Sequence, residues 1–568
     1  MSTSSHVDNV LLALVILPTL AWTIGLLVWR LLRGSDPSSS STRTGRIASH
    51  LDRIAILRRW GTISPLERNI FGGISILVAT ITLLSTIMLI FRFNTRSPAQ
   101  AIQFPLPPLP ISLYADALSL YFLLVINIIA LGASWNAYFY LQKEPEAGFY
   151  RGPSLFHVLM NLFHFTMLLT PVMDNLIGLW IAIESTTLVS ALLVAYPNTA
   201  RSWEAAWKYL IITSTGIILA FMGTVFLIHG MYASNDPVLH TMNWSELIQH
   251  IHLLQRNDSL DFVLLAFFFA LAGYGVKAGL APMHTWLPDA HGEAAPPISA
   301  LFSGVLIKAA FYAILRFVML TEKALGNEHL WLITYVLLGA GLFSLTMAVP
   351  FILNRKNHFK RVLAYHSLEH MGIILFGTGV GSAVALFGAL LHVLNHAITK
   401  ALMFLAYGNV LRKYNLSEEE GRSNILEPAG VFYLMPVTGL LLAMGGLALV
   451  GTPPFNIFLS LWMILWGGVQ RWLEVMHTQS ASRPLEPYIL GISILIFSLA
   501  TTLIYFGLVQ HLARILLSHP PARKRIQEKI TELIPLLLLM GLTCVLGVIV
   551  LPPLSILIQR SVDLLTLH

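Results

Sequence analysis

Cysteine is nearly absent from this sequence: Cys544 is the single cysteine among 568 residues. One cysteine cannot form a disulfide framework within the chain, and it excludes a metal site built on several cysteines. The sequence also gives no sign of haem or iron–sulfur ligation. We therefore expect no cofactor in this chain, and any redox centre to belong to a partner.

Charged residues are scarce as well. They make up 11% of the chain, against about 25% in an ordinary soluble domain. Hydrophobic residues make up 56%, and the mean hydropathy is +0.71. This composition excludes a soluble globular protein and predicts an all-α, polytopic membrane protein.

Long apolar runs fill most of the sequence. A helix needs about 20 apolar residues to cross the hydrocarbon core of a bilayer. By that measure we predict about fourteen transmembrane helices, one of them broken at Pro453 and Pro454. They lie near 9–31, 67–91, 113–141, 154–172, 175–196, 205–230, 262–281, 297–320, 329–352, 361–380, 383–411, 430–474, 488–512 and 532–558.

Basic residues cluster in three of the connections between these runs. With alternating spans, all three connections fall on one side of the membrane, which the positive-inside rule makes the cytoplasmic side. The acidic connection 231–261 and both termini then lie outside, and we expect the protein in the inner (plasma) membrane. We expect no nucleic acid as a partner, because the basic residues form no platform interleaved with aromatic residues. The clusters are Arg33, Arg43, Arg46, Arg53, Arg58 and Arg59; Arg355, Lys356, Lys360 and Arg361; and Arg514, Arg523, Lys524, Arg525 and Lys529.

The sequence divides into six stretches. Residues 1–33 are predicted to form a membrane helix rather than a signal peptide, because a basic n-region and a cleavage site are missing. Residues 34–66 form a predicted cytoplasmic linker that starts Ser-rich; its end, HLDRIAILRRW, fits either an amphipathic surface helix or a solvated loop. The remaining stretches are flanking helices at 67–153, two repeats at 154–320 and 329–474, and flanking helices at 488–568.

Three ionisable residues share one face of a predicted membrane helix. In VALFGALLHVLNHAITKALMFLAYG, His392, His396 and Lys400 are spaced i, i+4 and i+8, so they form a ladder along the helix. A charged residue at the centre of a membrane helix costs roughly 2.5–3.5 kcal/mol to insert, so such residues face a bundle interior or a wet path. We therefore expect this ladder to conduct protons.

Three further charges lie in other apolar runs. Glu184 is the only charge in NLIGLWIAIESTTLVSALLVAY, Lys277 precedes Gly279 and Pro282, and Lys308 lies in ISALFSGVLIKAAFYAILRF. An ionisable residue inside a membrane span is a candidate for an ion pathway. All three therefore join the ladder as candidates for one proton relay.

Helix-breaking residues interrupt two of the apolar runs. One run breaks at Pro282, and another, five spans later, breaks at Pro453 and Pro454. Proline frees backbone carbonyls that water or neighbouring helices must satisfy. Because paired broken helices are typical of transporters built from inverted repeats, we predict two inverted repeats of about five helices each.

Several long motifs occur in the order found in a known family. The stretch VKAGLAPMHTWLPDAHGEAAPPISALFSGVLIKAAFYAILRF, with KRVLAYHSLEHMGI, NHAITKALMFLAYG and GLALVGTPPFNIF, resembles the antiporter-like membrane subunits of respiratory complex I, group 4 hydrogenases and multisubunit cation/proton antiporters. The resemblance covers about 113–470, and WIAIESTTLVSALLVAY, EAAWKYLI and PDAHGEA are most similar to the hydrogenase-4-type branch. It implies a core of two inverted five-helix repeats, each with a discontinuous helix.

The resemblance also implies roles for individual residues. Glu184 matches the family's carboxylate, which pairs with a lysine on the first broken helix, here Lys277. Lys308 matches the bridging basic position, and the ladder matches the second half-channel. At the family's last proton station this sequence has Leu461, which cannot titrate. The outward exit is therefore expected to be altered or absent. Either a proton leaves by another residue, or the subunit feeds protons to a partner, or it has become partly structural. Accessory candidates without a firm role are Lys208, Lys360, Glu369 and His370.

Three features of the sequence have more than one interpretation. Glu184 and Lys277 also fit a buried structural ion pair. His284 and His291 flank the first break, but their spacing follows no usual zinc pattern, so we expect no metal. The acidic run 418–420 fits either a solvated loop or a docking surface for a partner.

The sequence therefore predicts a proton-translocating membrane subunit of a larger, energy-coupled complex. Because it has no active site and no nucleotide-binding loop of its own, other membrane and soluble subunits must supply the energy. One alternative is the membrane subunit of an inorganic-carbon uptake complex that delivers protons to a zinc-containing partner, which Leu461 favours slightly. The other is a cation/proton antiporter subunit, and sodium is a second candidate ion.

Overall fold

A computed structural model describes most of the chain, and the described part is almost entirely helical. The described residues are 3–32, 65–95, 101–105, 112–142, 153–234, 236–256, 260–326, 330–416, 428–478, 484–519 and 525–566. The first basic cluster, the predicted linker up to residue 64 and the acidic run 418–420 lie outside these ranges, as do Arg523 and Lys524.

The first part of the chain forms helices α1 to α11. Their bounds are α1 Thr3–Leu32, α2 Pro65–Asn94, α3 Ala117–Tyr140, α4 Pro153–Leu169, α5 Leu176–Val194, α6 Ala200–Ala233, α7 Trp244–His250, α8 Leu260–Ala278, α9 Trp286–Glu293, α10 Pro296–Leu301 and α11 Ile307–Leu325. A π turn, Phe302–Leu306, joins α10 to α11. Between α2 and α3, strand β1 (Ile102–Pro105) pairs antiparallel with β2 (Ser112–Ala115).

The second part of the chain forms helices α12 to α20. Their bounds are α12 Leu330–Leu353, α13 Phe359–Gly379, α14 Ala383–Leu416, α15 Val431–Leu434, α16 Pro436–Leu449, α17 Asn456–Thr478, α18 Glu486–Leu517, α19 Ile530–Val548 and α20 Pro552–Leu565. The last predicted span, 532–558, is too long, because α19 ends at Val548 and two prolines start a separate helix at Pro552.

Twelve helical segments in the described part of the chain are long and apolar enough to cross a membrane. The predicted fold class, a polytopic all-α membrane protein, is therefore confirmed. The remaining predicted spans coincide with α13, and with α16 and α17 on the two sides of the second break. These helices are shorter or richer in polar residues, so the count of fourteen stays a prediction.

Both predicted breaks lie where a helix ends in the same backbone conformation. α8 ends before Gly279 and α16 ends close before Gly451, and the φ angles of these glycines are 76° and 74°. Each glycine amide donates to the carbonyl three residues back, and the following amide donates five residues back. This pattern satisfies carbonyls that the helix end would leave bare, and it needs a residue that tolerates positive φ. Pro282, and Pro453 with Pro454, follow the two glycines.

The core of the molecule is formed by α14 and by the α10–α11 segment. In both, the most apolar stretch is completely buried, whereas in the peripheral helix α18 only 28% of it is buried. Lys308, His392, His396 and Lys400 all lie on these two central elements. The charges that looked expensive in the sequence are therefore held inside protein rather than against lipid.

Small residues let α6 and α8 approach closely. A Cβ atom on Gly273 of α8 would overlap the backbone of Ala220 on α6, and one on Gly216 would overlap Val276. Glycine at such a crossing is a common means of packing membrane helices without a hydrophobic driving force. The crossing places the polar groups of α6 beside Lys277, which follows Val276 on α8.

A buried ion pair ties α11 to the start of α3. Arg316 donates to both carboxylate oxygens of Asp116, at 2.7 and 2.8 Å, and to the hydroxyl groups of Ser119 and Tyr312. The Arg316 side chain is only 1% exposed. Asp116 precedes the membrane span of α3. Its burial opposes ionisation, but the charge of Arg316 and these hydrogen bonds outweigh that effect and lower the pKa of Asp116 below its ordinary value.

Candidate functional site

Glu184 and Lys277 are joined through a hydroxyl group. Thr187, one turn after Glu184 on α5, donates to the Glu184 carboxylate at 3.1 Å and accepts a hydrogen bond from the Lys277 ammonium group. Ser214 of α6 donates to the other carboxylate oxygen at 2.8 Å. Glu184 and Lys277 are thus connected by a bridge of carboxylate, hydroxyl and ammonium groups in series.

Lys277 is completely buried and reaches a second hydroxyl group. It donates to the hydroxyl of Tyr209 at 3.3 Å, and Tyr209 shares a 2.7 Å hydrogen bond with Ser190. The ring centroid of Tyr209 lies 5.7 Å from that of Phe302, the first residue of the π turn. The first cluster, Glu184, Thr187, Lys277 and Tyr209, therefore ends against the element that carries Lys308.

Lys308 and His396 connect the two central elements. Nζ of Lys308 lies 2.6 Å from Nδ1 of His396, and it also donates to the carbonyl of Ser303 within the π turn. π turns inside helices are frequent at functional sites, because they re-aim the side chains that follow them. Here the turn immediately precedes the lysine that contacts the ladder.

His370 of α13 links the histidines of the ladder. The rings of His392 and His396 are 6.4 Å apart, but the His370 ring lies 5.1 Å from the first and 4.4 Å from the second. Nδ1 of His370 is 2.9 Å from Nε2 of His392, whose Nδ1 lies 2.9 Å from the hydroxyl of Ser460. Lys400 donates to the carbonyl of Leu363. The second cluster is Lys308, His396, His370, His392 and Ser460, with Lys400 at its edge.

A three-residue group on α13 extends the second cluster. Nδ1 of His366 lies 2.5 Å from the carboxylate of Glu369, and ligand atoms of His366, Glu369 and His370 all lie within 4.8 Å of one another. Such a donor set suits zinc or another transition metal. His366 and Glu369 also share a hydrogen bond, and His370 shares another with His392, so these side chains have partners without a metal. Their i, i+3, i+4 spacing in HSLEH was the available sequence signal for this group.

Lys208 and Lys360 lie beside the short helix α9 rather than in either cluster. Lys208 is half-exposed and lies 3.5 Å from the carboxylate of Asp289. Lys360 donates to the carbonyls of Gly292 and Ala294, at 2.9 and 2.6 Å. Carbonyl groups at the C-terminal end of a helix favour a nearby cation. Lys360 therefore stabilises the C-terminal end of α9, whereas Lys208 contacts Asp289 in its first turn.

His284 and His291 are not brought together with their acidic neighbours. The His291 ring stacks on that of Phe404, with centroids 5.3 Å apart. Among the described residues, the only group of three candidate ligands is the one on α13. The two histidines therefore give no structural sign of a metal site.

Leu461 packs over the second break. Its side chain is half-buried and faces Gly451. The preceding residue, Ser460, hydrogen-bonds to His392 but does not titrate near neutral pH. At this place α17 can extend a hydrogen-bond chain, but it cannot store a proton.

Hydroxyl groups in or beside the two clusters are the contacts that the sequence did not reveal. Thr187, Ser214, Tyr209 and Ser460 each contact a predicted relay residue or its partner. Thr187 stands three residues after Glu184, which is a usable signal for a shared helix face. For the other three the contact crosses between helices.

A family model fits the central part of the chain. Residues 173–482 match the family described as NADH:quinone oxidoreductase/Mrp antiporter, TM. The match spans more than half of the 568 residues and includes both breaks and both clusters. The chain belongs to this family. The family predicted from the motifs is therefore confirmed.

Hydrogenase-4 components are among its relatives in the NADH:quinone oxidoreductase/Mrp antiporter family. The chain is 37% identical to the hydrogenase-4 component F homolog of Methylacidiphilum infernorum (isolate V4) over 352 residues, 62% of this chain and 71% of the relative. It is 30% identical to hydrogenase-4 component B of Escherichia coli (strain K12) over 423 residues, 72% of this chain. That alignment spans 57% of the relative, so this chain corresponds to little more than half of it.

A solved archaeal complex contains the same fold. A chain of the membrane-bound sulfane sulfur reductase, an archaeal respiratory membrane complex, superimposes with a TM-score of 0.71 at 22% identity, over 98% of this chain and 97% of that one. As a member of the NADH:quinone oxidoreductase/Mrp antiporter family, the protein is an integral membrane subunit of a larger complex. The relatives support the predicted proton-translocating subunit and do not favour the inorganic-carbon alternative.

Proposed function

We propose that this subunit carries protons along the two clusters, from Glu184 through Lys277 and Lys308 to the ladder. The observation that carries the proposal is the 2.6 Å contact between Lys308 and His396. It joins α11, in the first proposed repeat, to α14, in the second. A proton path that crosses from one repeat to the other needs such a link.

The bridged pair supplies a switch at one end of this path. A buried ammonium group is stabilised by a nearby carboxylate, and it becomes costly when that carboxylate is neutralised or moves away. Protonation of Glu184, or a charge brought by a neighbouring subunit, would therefore push the proton of Lys277 onward. Thr187 lies between the two charges and so sets the distance over which they interact.

The orientation of the protein in the membrane and the source of its energy are part of the same proposal. We place the connection 354–358 in the cytoplasm, because Arg355 and Lys356 lie in it and Lys360 and Arg361 follow it at the start of α13. Both termini then lie outside. The driving energy comes from other membrane and soluble subunits, and the transported ion is the proton, with sodium as the alternative that experiments must separate.

The proposal is tested with His396→Gln. Membrane vesicles that contain the intact complex are energised with the substrate of the copurifying subunits, and proton uptake is followed with a pH-sensitive dye. Glutamine keeps a polar side chain but cannot titrate, so we expect uptake to fall about tenfold. His229→Gln, on an exposed face of α6, should leave it unchanged. Undiminished uptake in an assembled His396→Gln complex would refute the path, and uptake that requires sodium would point to the antiporter alternative.

The hydroxyl bridge gives a separate prediction. Thr187→Val has nearly the same shape but cannot bridge Glu184 and Lys277, so we expect roughly tenfold slower proton uptake. Thr187→Ser keeps the hydroxyl and should retain most of the rate. Equal rates for the valine and serine variants, measured in complexes of equal subunit content, would show that the bridge has no part in transport.

A further inference from the structure

A cleft opens at one end of the second repeat. Its volume is about 470 Å³, and it lies between the end of α11 and the starts of α12, α14 and α18. Leu330, at the start of α12, lines it, whereas the basic connection 354–358 follows the other end of that 24-residue helix. The cleft therefore faces the side of the membrane opposite to the basic residues.

Three charged side chains line this cleft, and they differ in their pairing. Arg471 lies 3.6 Å from Glu486, also in the cleft, and 3.5 Å from Glu474. Glu322 also lines the cleft, but its carboxylate has no hydrogen bond or ion pair within the described ranges. A half-buried carboxylate with no hydrogen bond or ion pair among the described residues, at the wall of a cleft, is suited to bind and release a proton.

Glu322 lies in line with Lys308. The two residues are fourteen positions apart on α11, with Leu315 midway, and residues spaced by seven in a helix drift by only about 20° per step. Leu315 is buried and forms part of the cleft floor. With a rise of about 1.5 Å per residue, this floor stands about 10 Å above Lys308, and Glu322 about 10 Å above the floor.

On the opposite wall of the cleft, α14 separates the cleft from the second cluster by a similar distance. Leu386 of α14 lines the cleft, and His392 follows it by six residues, or about 9 Å along the helix. The cleft and the second cluster are thus separated on both central elements by about two turns of helix. Leu315 and Leu386 line the cleft at the end of this separation, and their apolar side chains oppose the entry of water.

We propose that this cleft is the outlet of the second cluster and that Glu322 is the terminal proton carrier, in place of the titratable group missing at Leu461. This inference rests on the proposed function. A proton leaves the second cluster through water that enters between Leu315 and Leu386, binds the Glu322 carboxylate, and is released to the solution in the cleft. Transport in the reverse direction would use the same groups as an inlet.

The first experiment tests whether the cleft is open to water from one side only. In a Cys544→Ser background, single cysteines are introduced as Glu322→Cys, Thr378→Cys and Val305→Cys, and a membrane-impermeant maleimide is added to each side of sealed vesicles. Thr378 is half-buried at the cleft wall, whereas Val305 is fully buried below it. We expect the first two to react only from the side opposite to the basic connections, and the third to remain unlabelled. If the first two react no faster than Val305→Cys, there is no outlet here.

The second experiment tests the role of the carboxylate in proton uptake by vesicles that hold the intact complex. We expect Glu322→Gln to slow uptake at least about tenfold, Glu322→Asp to retain most of it, and Glu486→Gln, the matched control in the same cleft, to stay within about twofold. If His396→Gln slows uptake and Glu322→Gln does not, the outlet is wrong while the proposed path stands. If neither variant slows it, the proposed path itself has failed. Equal losses for Glu322→Gln and Glu486→Gln would also overturn the assignment.

Discussion

Replacing Lys277 or Lys400 by alanine is expected to reduce proton translocation at least about 100-fold while the complex still assembles. A group that transfers a proton typically contributes about 10²–10⁴-fold to a rate. Lys277 stands between Thr187 and Tyr209, and alanine leaves a gap there that hydroxyl groups cannot bridge. The partner carboxylate, Glu184, keeps the hydrogen bonds that it accepts from Ser214 and Thr187 when the lysine is lost.

These variants need a lysine control and a measure of assembly. Lys356→Ala removes an exposed lysine from the basic connection and should leave translocation unchanged. Copurification of the other subunits shows whether each complex is intact before its rate is measured. If both Lys277→Ala and Lys400→Ala assemble normally and keep full activity, the relay does not run through these lysines.

The replacement Arg316→Ala is expected to prevent accumulation of the folded protein. It leaves the carboxylate of Asp116 buried without the guanidinium group that binds both of its oxygens. Removing one partner of a buried ion pair costs about 3–5 kcal/mol. The free energy of unfolding of a folded domain is typically about 5–15 kcal/mol, so this loss is a large part of it. The measurement is the yield of monodisperse protein in detergent, with its thermal midpoint.

A double variant separates charge from packing at this pair. Asp116→Asn with Arg316→Met removes both charges and keeps side chains of similar size, so it should recover much of the yield. Replacing a buried ion pair by residues of similar volume is often close to neutral. If the double variant accumulates as poorly as Arg316→Ala, the position depends on the shape of the arginine and not on its charge.

The sequence was sufficient for the features that depend on local chemistry. Apolar length predicts the helices, and glycine followed by proline predicts the ends of α8 and α16. A lysine such as Lys277 is conspicuous in an apolar run, because inserting a charge into the membrane costs free energy. The end of α19 and the start of α20 were less predictable, because apolar residues continue on both sides of Pro552.

The contacts between helices were beyond the reach of one sequence. Threonine and serine are ordinary in membrane helices, so nothing marks Ser214 as a partner of Glu184 before the α6–α8 crossing is known. Asp116 and Arg316 are 200 residues apart, and only the fold brings them together. His370 was noticed, but its place between His392 and His396 depends on how α13 packs against α14.

The π turn at Phe302–Leu306 fixes the phase of the helix that follows it. A π turn holds about one residue more than an α-helical turn, and each residue rotates the helix by about 100°. Without that extra residue, Lys308 would turn away from His396 and Arg316 would turn away from Asp116 in the same movement. The contact between Lys308 and His396 and the ion pair of Arg316 with Asp116 therefore both depend on the rotation of α11 about its own axis. Any gain or loss of a single residue within the π turn must therefore alter both contacts together.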